Sequence, residues 1–409
     1  MAEGDPAGAV ARPQQDFERR LEDAATDVAK FDERDKGLVS KFQHFLHGNP
    51  TAAPTLVLIL SCLAFAAVAP NFFSAFNLSL IIQQVTIIGI LGAAQTLVIL
   101  TAGIDLSVAA VMVLSYMVMA RLAVEGGAPT VLAILAGLAV GTICGLFSGS
   151  LVTRARLLPI AVAVLAWIGL LAIGMPVIWA LPLGMIFGLG VAIAGIGPAP
   201  ALRLPPFIVT LGAWSIFFAL SLWYSDAQTV RSQDIDAAAP LLKIFGERVA
   251  LFGAQFTYGS FLMILVFCVL WYTLNWTAWG RAVYAVGDDK DAAELSGIRT
   301  DRILVSVYGA AGFLCALAGW AAIGRVGSAS PQSFYEGNLD AITAVVIGGT
   351  SLFGGRGAIF GTLVGALIVG VFRSGLKLAG VDVLWQTFAV GLLIIVAVAV
   401  DQWIRRVSS

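Results

Sequence analysis

A series of long apolar runs constrains the fold of this chain more than any other feature of its sequence. An α-helix needs about 20 residues to cross a hydrocarbon core of about 30 Å, and most runs have close to that length. They predict an all-α, polytopic membrane protein. The predicted spans lie near residues 53–70, 79–100, 106–122, 130–152, 157–176, 177–197, 206–225, 259–277, 303–324, 339–354, 358–376 and 384–404. The segment 339–354 is short and rich in glycine, so we expect it to be a full span or a partial, broken one.

The composition supports this fold class and excludes several functions. Of the 409 residues, 12% are charged, whereas soluble domains carry about 25% charged residues. The net charge of −1 gives no sign of a nucleic-acid partner. The motifs GxxxxGKS/T, HExxH and GxSxG are absent, so we expect neither nucleotide hydrolysis nor metal or serine chemistry on this chain. The cysteines and histidines lack a metal or disulfide pattern; they are Cys62, Cys144, Cys268, Cys315, His44 and His47.

Residues 279–302 break the apolar pattern. This stretch carries nine charges in 24 residues, and one central Asp, Lys or Arg costs on the order of 2.5–3.5 kcal/mol in a membrane helix. The sequence therefore predicts a solvated loop. Within it, Asp288 or Asp289 can cap a helix that starts near Asp291, and Gly297 can end that helix. The plain alternative is a connector without a function of its own.

Several motifs in a fixed order resemble one family. The first is Gly-Arg-Ala-Val-Tyr-Ala-Val-Gly at 280–287, with Ala292, Ala293 and Gly297 after it. The others are TAGIDLSV at 101–108, LPPFIVTLG at 204–212, and LDAITAVVIGGTSLFGGRG at 339–357. The chain resembles permease subunits of bacterial ATP-binding-cassette (ABC) importers, in the ribose, xylose and fructose branch. The resemblance runs from about residue 50 to the end. Residues 16–18 and 41–50 look most like fructose-type members.

The resemblance implies a function and a set of partners. The expected protein is the membrane-spanning subunit of an ATP-driven monosaccharide importer in a bacterial inner membrane, and not an enzyme. It would work as a dimer with separate ABC ATPase subunits and a periplasmic sugar-binding protein. No cofactor is expected on this chain, because ATP would bind the partner subunits.

The same resemblance makes residues 279–302 the cytoplasmic coupling loop that docks on the ATPase. We expect Ala292 and Ala293 to be the contacts, because helix-in-groove docking needs close approach, and Leu295 to be an anchor. The residues assigned to coupling are Gly287, Asp291, Ala292, Ala293, Glu294, Leu295 and Gly297.

Residues 157–203 depart from the family pattern. In the family, a sequence like 151–154 leads almost directly to one like 204–207, but here an apolar segment intervenes. A two-span hairpin preserves the orientation of all later spans, so we expect about ten family spans plus this hairpin. With a cytoplasmic N-terminus, seventeen of the 24 Lys and Arg residues then lie inside, as the positive-inside rule requires.

Two further regions flank the predicted spans. Residues 1–48 form a polar cytoplasmic tail, in which Phe17, Leu21, Ala24, Val28 and Phe31 have the spacing of an amphipathic helix. Residues 49–409 form the transmembrane domain. Within it, residues 226–258 are the largest external loop, which is either the docking surface for the binding protein or simply solvated.

Uncharged polar side chains within the spans favour a neutral, hydroxyl-rich substrate. Asp105 is the exception, and we expect it to cap a helix that begins at Leu106, or else to bind or gate the substrate directly. An ion-coupled secondary transporter is the alternative class, but it would place several acids near mid-membrane. The candidates for the substrate pathway are Gln83, Gln84, Gln95, Thr101, Asp105 and Ser107.

A glycine ladder runs from residue 348 to residue 365, across the end of one predicted span and into the next. The spacing of Gly357, Gly361 and Gly365 predicts a flat stripe on one helix face, which lets a neighbouring helix approach closely. Such contacts can slide during a conformational change or can simply pack, and packing is the simpler role.

Overall fold

The computed structural model describes residues 51–153, 204–251 and 253–405, together with isolated positions between 165 and 188. The expected tail helix within residues 1–48 and nearly all of the expected hairpin at 157–203 lie outside the described residues. The described part is a bundle of α-helices with one small two-stranded sheet.

The first half of the described chain contains five long helices. They are α1 (Ala52–Val68), α2 (Ala75–Leu100), α3 (Val108–Val124), α4 (Thr130–Thr153) and α5 (Pro206–Tyr224). The segment that follows comprises α6 (Ser232–Ala238), a 3₁₀ helix (Pro240–Gly246), and strands β1 (Arg248–Leu251) and β2 (Ala254–Thr257).

The second half alternates long and short helices. They are α7 (Tyr258–Trp276), α8 (Ala278–Asp288), α9 (Lys290–Leu295), α10 (Thr300–Val326), α11 (Gly337–Ile347), α12 (Ile359–Leu378) and α13 (Val383–Arg405).

The predicted spans outside 157–203 each correspond to one of these helices. Six helices of the described part are long and apolar enough to cross a membrane: α2, α4, α5, α7, α10 and α12. Four shorter apolar helices lie at Ala52–Val68, Val108–Val124, Gly337–Ile347 and Val383–Leu393. The fold class is therefore that of a polytopic helical membrane protein. The 11-residue length of α11 agrees with a partial span at 339–354.

Glycines allow the central helices to touch backbone to backbone. A Cβ at Gly145 of α4 would overlap the carbonyl oxygen of Tyr308 on α10, and one at Gly312 of α10 would overlap that of Gly141. Contacts this close require residues without a side chain. Helix α10 thus lies at the centre of the bundle, against α2, α3 and α4.

The segment 226–258 is folded and is not an open loop. Its strands pair antiparallel, with Arg248 opposite Thr257, and the side chains of Ile235 and Leu242 are fully buried. Val230 also forms an isolated bridge with Ala329, beyond the end of α10. These residues form an ordered cap over one end of the bundle, called the outer cap below.

The glycine stripe is shorter than the sequence predicted. Gly357 precedes α12 and has a φ of 153°, so it is not on the helix. Gly361 and Gly365 do lie on α12, where an added Cβ would overlap the carbonyl oxygens of Gly348 and Ala344, respectively. The close contact is therefore made by two turns of α12 against the end of α11.

Candidate functional site

The charged stretch 279–302 contains two helices, α8 and α9, and α8 does not behave as a solvated loop. The side-chain oxygen of Thr277 accepts a hydrogen bond from the N–H of Gly280 and caps α8. Val283 and Val286 are 0% and 3% exposed and face the bundle. The spacing of the apolar residues Trp279, Val283 and Val286 is typical of a helix with one buried face. The prediction of a solvated loop followed the high density of charge and missed this spacing.

Helix α9 is fixed at both ends by local hydrogen bonds. One carboxylate oxygen of Asp289 accepts from the backbone N–H groups of Asp291 and Ala292, both at 2.9 Å. Gly297 has a φ of 85°, and Ile298 N–H donates to the carbonyl of Ala293 at 3.0 Å. This is the Schellman arrangement, in which glycine avoids the strain of a left-handed residue. The helix expected at 291–296 is present, and Asp289 caps it while Asp288 ends α8.

The two faces of α9 differ in what they contact. Ala293 is 4% exposed and packs against Val286 and Leu304 of the same chain. Leu295 is 91% exposed, and Ala292 is exposed as well. The expectation that Ala293 contacts a partner is therefore wrong, because this side chain is already buried within the chain. Ala292 and Leu295, three residues apart, share the outward face.

Gly287 joins α8 to two other parts of the chain. A Cβ at this position would overlap the carbonyl oxygen of Leu100, at the end of α2, and would lie 2.7 Å from the backbone nitrogen of Gly355. The N–H of Gly355 donates to the carbonyl of Leu100 at 3.0 Å. Tyr284, one turn earlier, donates from its hydroxyl to the carbonyl of Gly357 at 2.9 Å. Gly287 is thus a packing residue at a three-way contact.

The third partner in this contact is the coil between α11 and α12, residues 348–358. Gly349, Gly354 and Gly355 have φ values of 83°, 86° and 67°, a region that residues with a Cβ rarely adopt. Trp279 links α8 to α10 as well, since its indole N–H donates to the hydroxyl of Ser306 at 2.8 Å. A displacement of α8 would therefore act directly on α10, on this coil and on the end of α2.

Asp105 stabilises the turn between α2 and α3 but is not the N-cap of α3. The helix begins at Val108 with Ser107 at the N-cap position, two residues later than expected. The backbone N–H and hydroxyl of Ser107 donate to one carboxylate oxygen of Asp105, at 2.7 and 2.6 Å. The Gln95 amide, in the orientation that satisfies both of its groups, donates to the carbonyl of Asp105 at 2.9 Å and accepts from its N–H at 3.2 Å.

The candidates for the substrate pathway fall into two groups. Gln95, Asp105 and Ser107 form the hydrogen-bonded cluster just described, and Thr101 donates to the carbonyl of Val98 at 2.8 Å beside it. Gln83 instead donates to the carbonyl of Gln255 in β2, at 3.3 Å, and Gln84 beside it is half-buried. Twelve residues of helix separate Gln83 from Gln95, about 18 Å. The six residues therefore do not form one binding site.

An ion pair within the bundle was not predicted from the sequence. Arg373 on α12 donates to a carboxylate oxygen of Asp340 on α11 at 2.6 Å. The available signal was an acid inside the predicted span 339–354. Because Asp340 has a cationic partner, the pair does not supply the several unpaired acids that ion coupling would require.

Comparisons with known proteins agree with this architecture. A family model described as the branched-chain amino acid transport system permease component matches residues 160–398. The fructose import permease of Rhizobium meliloti is 50% identical over 401 residues, 98% of each chain. The chain belongs to this permease family. The ribose import permease of Bacillus subtilis is 33% identical over 88% of the chain and 95% of its own length.

Other relatives of the permease have the same role. The xylose transport permease of Haemophilus influenzae is 32% identical over 85% of the chain and 94% of its own length. No solved structure matches the permease. The permease is a multi-pass membrane translocation subunit of an ABC importer, and it is not an enzyme.

Proposed function

We propose that the permease imports a monosaccharide and that the exposed face of α9 docks on a separate ABC ATPase. One observation carries the proposal: Leu295 is 91% exposed at the end of a helix of only six residues that is capped at both ends. A short helix with a fixed shape and an uncovered apolar side chain suits insertion into a groove. Full burial of a Leu side chain contributes about 1.5–3 kcal/mol.

Through the contact at Gly287, docking of the ATPase on α9 would move other parts of the permease. A force on α9 passes to α8 through the buried cluster of Ala293, Val286 and Leu304. From α8 it reaches the end of α2 and the coil 348–358 through Gly287 and Tyr284. ATP would bind and be hydrolysed on the partner, with no cofactor on the permease itself.

The substrate and the other partners are inferred from the relatives and the charge pattern. The relatives are permeases for fructose, ribose, allose and xylose, and the relative with 50% identity is the fructose permease, so fructose is the first substrate to test. The permease would lie in the bacterial inner membrane as a dimer, with the N-terminus cytoplasmic. The ordered cap at 226–258 would then face the periplasm and meet a sugar-binding protein.

A charge introduced at Leu295 tests the docking. Leu295→Asp should leave the abundance of the permease unchanged, because the side chain touches little of its own chain, but it should release the ATPase and stop fructose and ribose uptake. The matched control is Leu241→Asp in the outer cap, where Leu241 is 39% exposed, and this variant should keep the ATPase. Retention of both the ATPase and full uptake by Leu295→Asp would refute the proposal.

A further inference from the structure

The chain between α10 and α11 returns into the bundle. Ala329 is bridged to Val230 of the outer cap, yet a Cβ at Gly337 would lie 3.6 Å from the side chain of Leu91. Leu91 lies within α2, about 24 Å along the helix from its first residue and about 14 Å from its last. Helix α11 therefore begins deep within the thickness of the bundle. The side-chain amide of Asn338 donates there to the carbonyl of Leu106 at 3.3 Å.

Charged groups at this depth face away from the described chain. Glu336 is exposed, and it lies one helical turn before Asp340, on the same side of α11. The side chain of Arg373, which pairs with Asp340, is 38% exposed. Ionised side chains at such a depth are not stable against hydrocarbon and occur where a water-filled path or protein covers them. This side of α11 is therefore not a lipid-facing surface.

An aromatic group borders the charges. Tyr335 is 55% exposed and packs edge to face against Trp214 and Phe218 of α5, with ring centroids 5.4 and 5.6 Å apart. These two rings stack on each other at 5.8 Å. Tyrosine offers an apolar ring face together with a hydroxyl that donates and accepts hydrogen bonds. The carboxylate of Glu336 and the guanidinium of Arg373 add an acceptor and several donors.

Gln332, four residues before Glu336, is exposed as well. We propose that Gln332, Tyr335, Glu336 and the exposed edge of the Asp340–Arg373 pair form the sugar-contacting wall of the translocation route. A monosaccharide has an apolar C–H face and a rim of neutral hydroxyls, which fits an aromatic ring next to paired charges. Glu336 and Asp340 carry two negative charges against the one positive charge of Arg373, so this wall disfavours an anionic solute. This inference rests on the proposed function, since it assumes that the permease transports a sugar.

Cysteine accessibility tests the inference in the assembled importer. In a background with Cys62→Ser and Cys268→Ser, single cysteines are introduced as Glu336→Cys and as Gln332→Cys. A membrane-impermeant thiol reagent should modify both cysteines rapidly. Fructose or ribose at about ten times its Kd should slow the modification about tenfold, because only the sugar-free fraction reacts.

The native Cys268 supplies the control. It is exposed on α7 between Leu265 and Val269, which are 58% and 53% exposed. A Cys62→Ser protein, in which Cys144 and Cys315 remain but are buried, should therefore react slowly and without protection by sugar. Two cysteine positions are used so that poor accumulation of one variant does not decide the result.

Two results would overturn the inference. Reactivity as slow as that of Cys268 would show that lipid or a second copy of the chain covers this face. Rapid modification that sugar does not slow would place the face in water but off the route. Failure of the proposed function itself would look different, because the permease with Gln332 and Glu336 intact, in the same Cys62→Ser and Cys268→Ser background, would then take up no sugar at all.

Discussion

Replacing Gly287 with alanine should separate helices α8 and α9 from the rest of the bundle. The new Cβ would overlap the carbonyl oxygen of Leu100 and lie 2.7 Å from the nitrogen of Gly355, whereas ordinary contacts begin at 3.4 Å. Both neighbours are backbone atoms, so no side chain can rotate away. Overpacking of this kind costs about 1–3 kcal/mol, and losing the Gly355–Leu100 hydrogen bond adds about 0.5–1.5 kcal/mol. The expected loss of stability is therefore about 1.5–4.5 kcal/mol.

The assay is thermal melting of the purified permease in detergent, together with sugar uptake in cells. Gly287→Ala should lower the melting temperature and reduce uptake. Gly212→Ala is the control, since Gly212 is a helical glycine of α5 with no atom within 4 Å of an added Cβ; alanine there should be neutral or slightly stabilising. If Gly287→Ala has the same melting temperature and sugar uptake as Gly212→Ala, the three-way contact at Gly287 does not hold α8 against the bundle.

Three further experiments probe the buried face of α9, the Asp105 turn and the membrane topology. Ala293→Trp should lower the thermal stability of the permease itself, because the 4% exposed Ala293 leaves no room for an indole; unchanged melting would contradict its burial. Asp105→Asn should keep abundance and uptake, since the amide oxygen can still accept from Ser107, whereas Asp105→Ala loses both bonds and should lower the melting temperature; loss of uptake in the Asn variant at normal abundance would show that the charge is required. Topology reporters fused after residues 203 and 281 should both report the cytoplasm, and a periplasmic signal from the first alone would exclude the two-span hairpin.

The spans could be predicted from the sequence because they depend on local properties of the chain. A run of about 20 apolar residues specifies a helix almost regardless of its neighbours. The predicted bounds 79–100 and 206–225 compare with Ala75–Leu100 and Pro206–Tyr224 in the structure. The ends of α9 were predictable for a similar reason, since the cap by Asp289 and the left-handed Gly297 are determined within a few residues of the sequence.

The orientation of α9 was only partly accessible from the sequence. Residues two apart point to nearly opposite sides of a helix, so Ala293 and Leu295 could not both face one partner, and the spacing alone could have shown this. Which of the two faces inward is decided by Val286 and Leu304, on two other helices. That choice depends on tertiary packing and has no local signal.

Long-range pairs were inaccessible for the same reason. Asp340 and Arg373 are 33 residues apart in the sequence, and no local sequence pattern indicates that they pair. Asp105 was correctly recognised as unusual, but its partners Ser107 and Gln95 are determined by the tight turn after α2. A hydropathy pattern locates such polar groups but does not show which hydrogen-bond or ion-pair partners they have.

Photo-cross-linking from α9 in native membranes tests the central claim most directly. A benzophenone amino acid is introduced at position 295, which is 91% exposed, and for comparison at position 241 in the outer cap. Illumination of the assembled importer should join position 295 to the ATPase subunit, with no such product from position 241. If position 295 gives no ATPase adduct in an importer that still transports sugar, α9 is not the coupling contact.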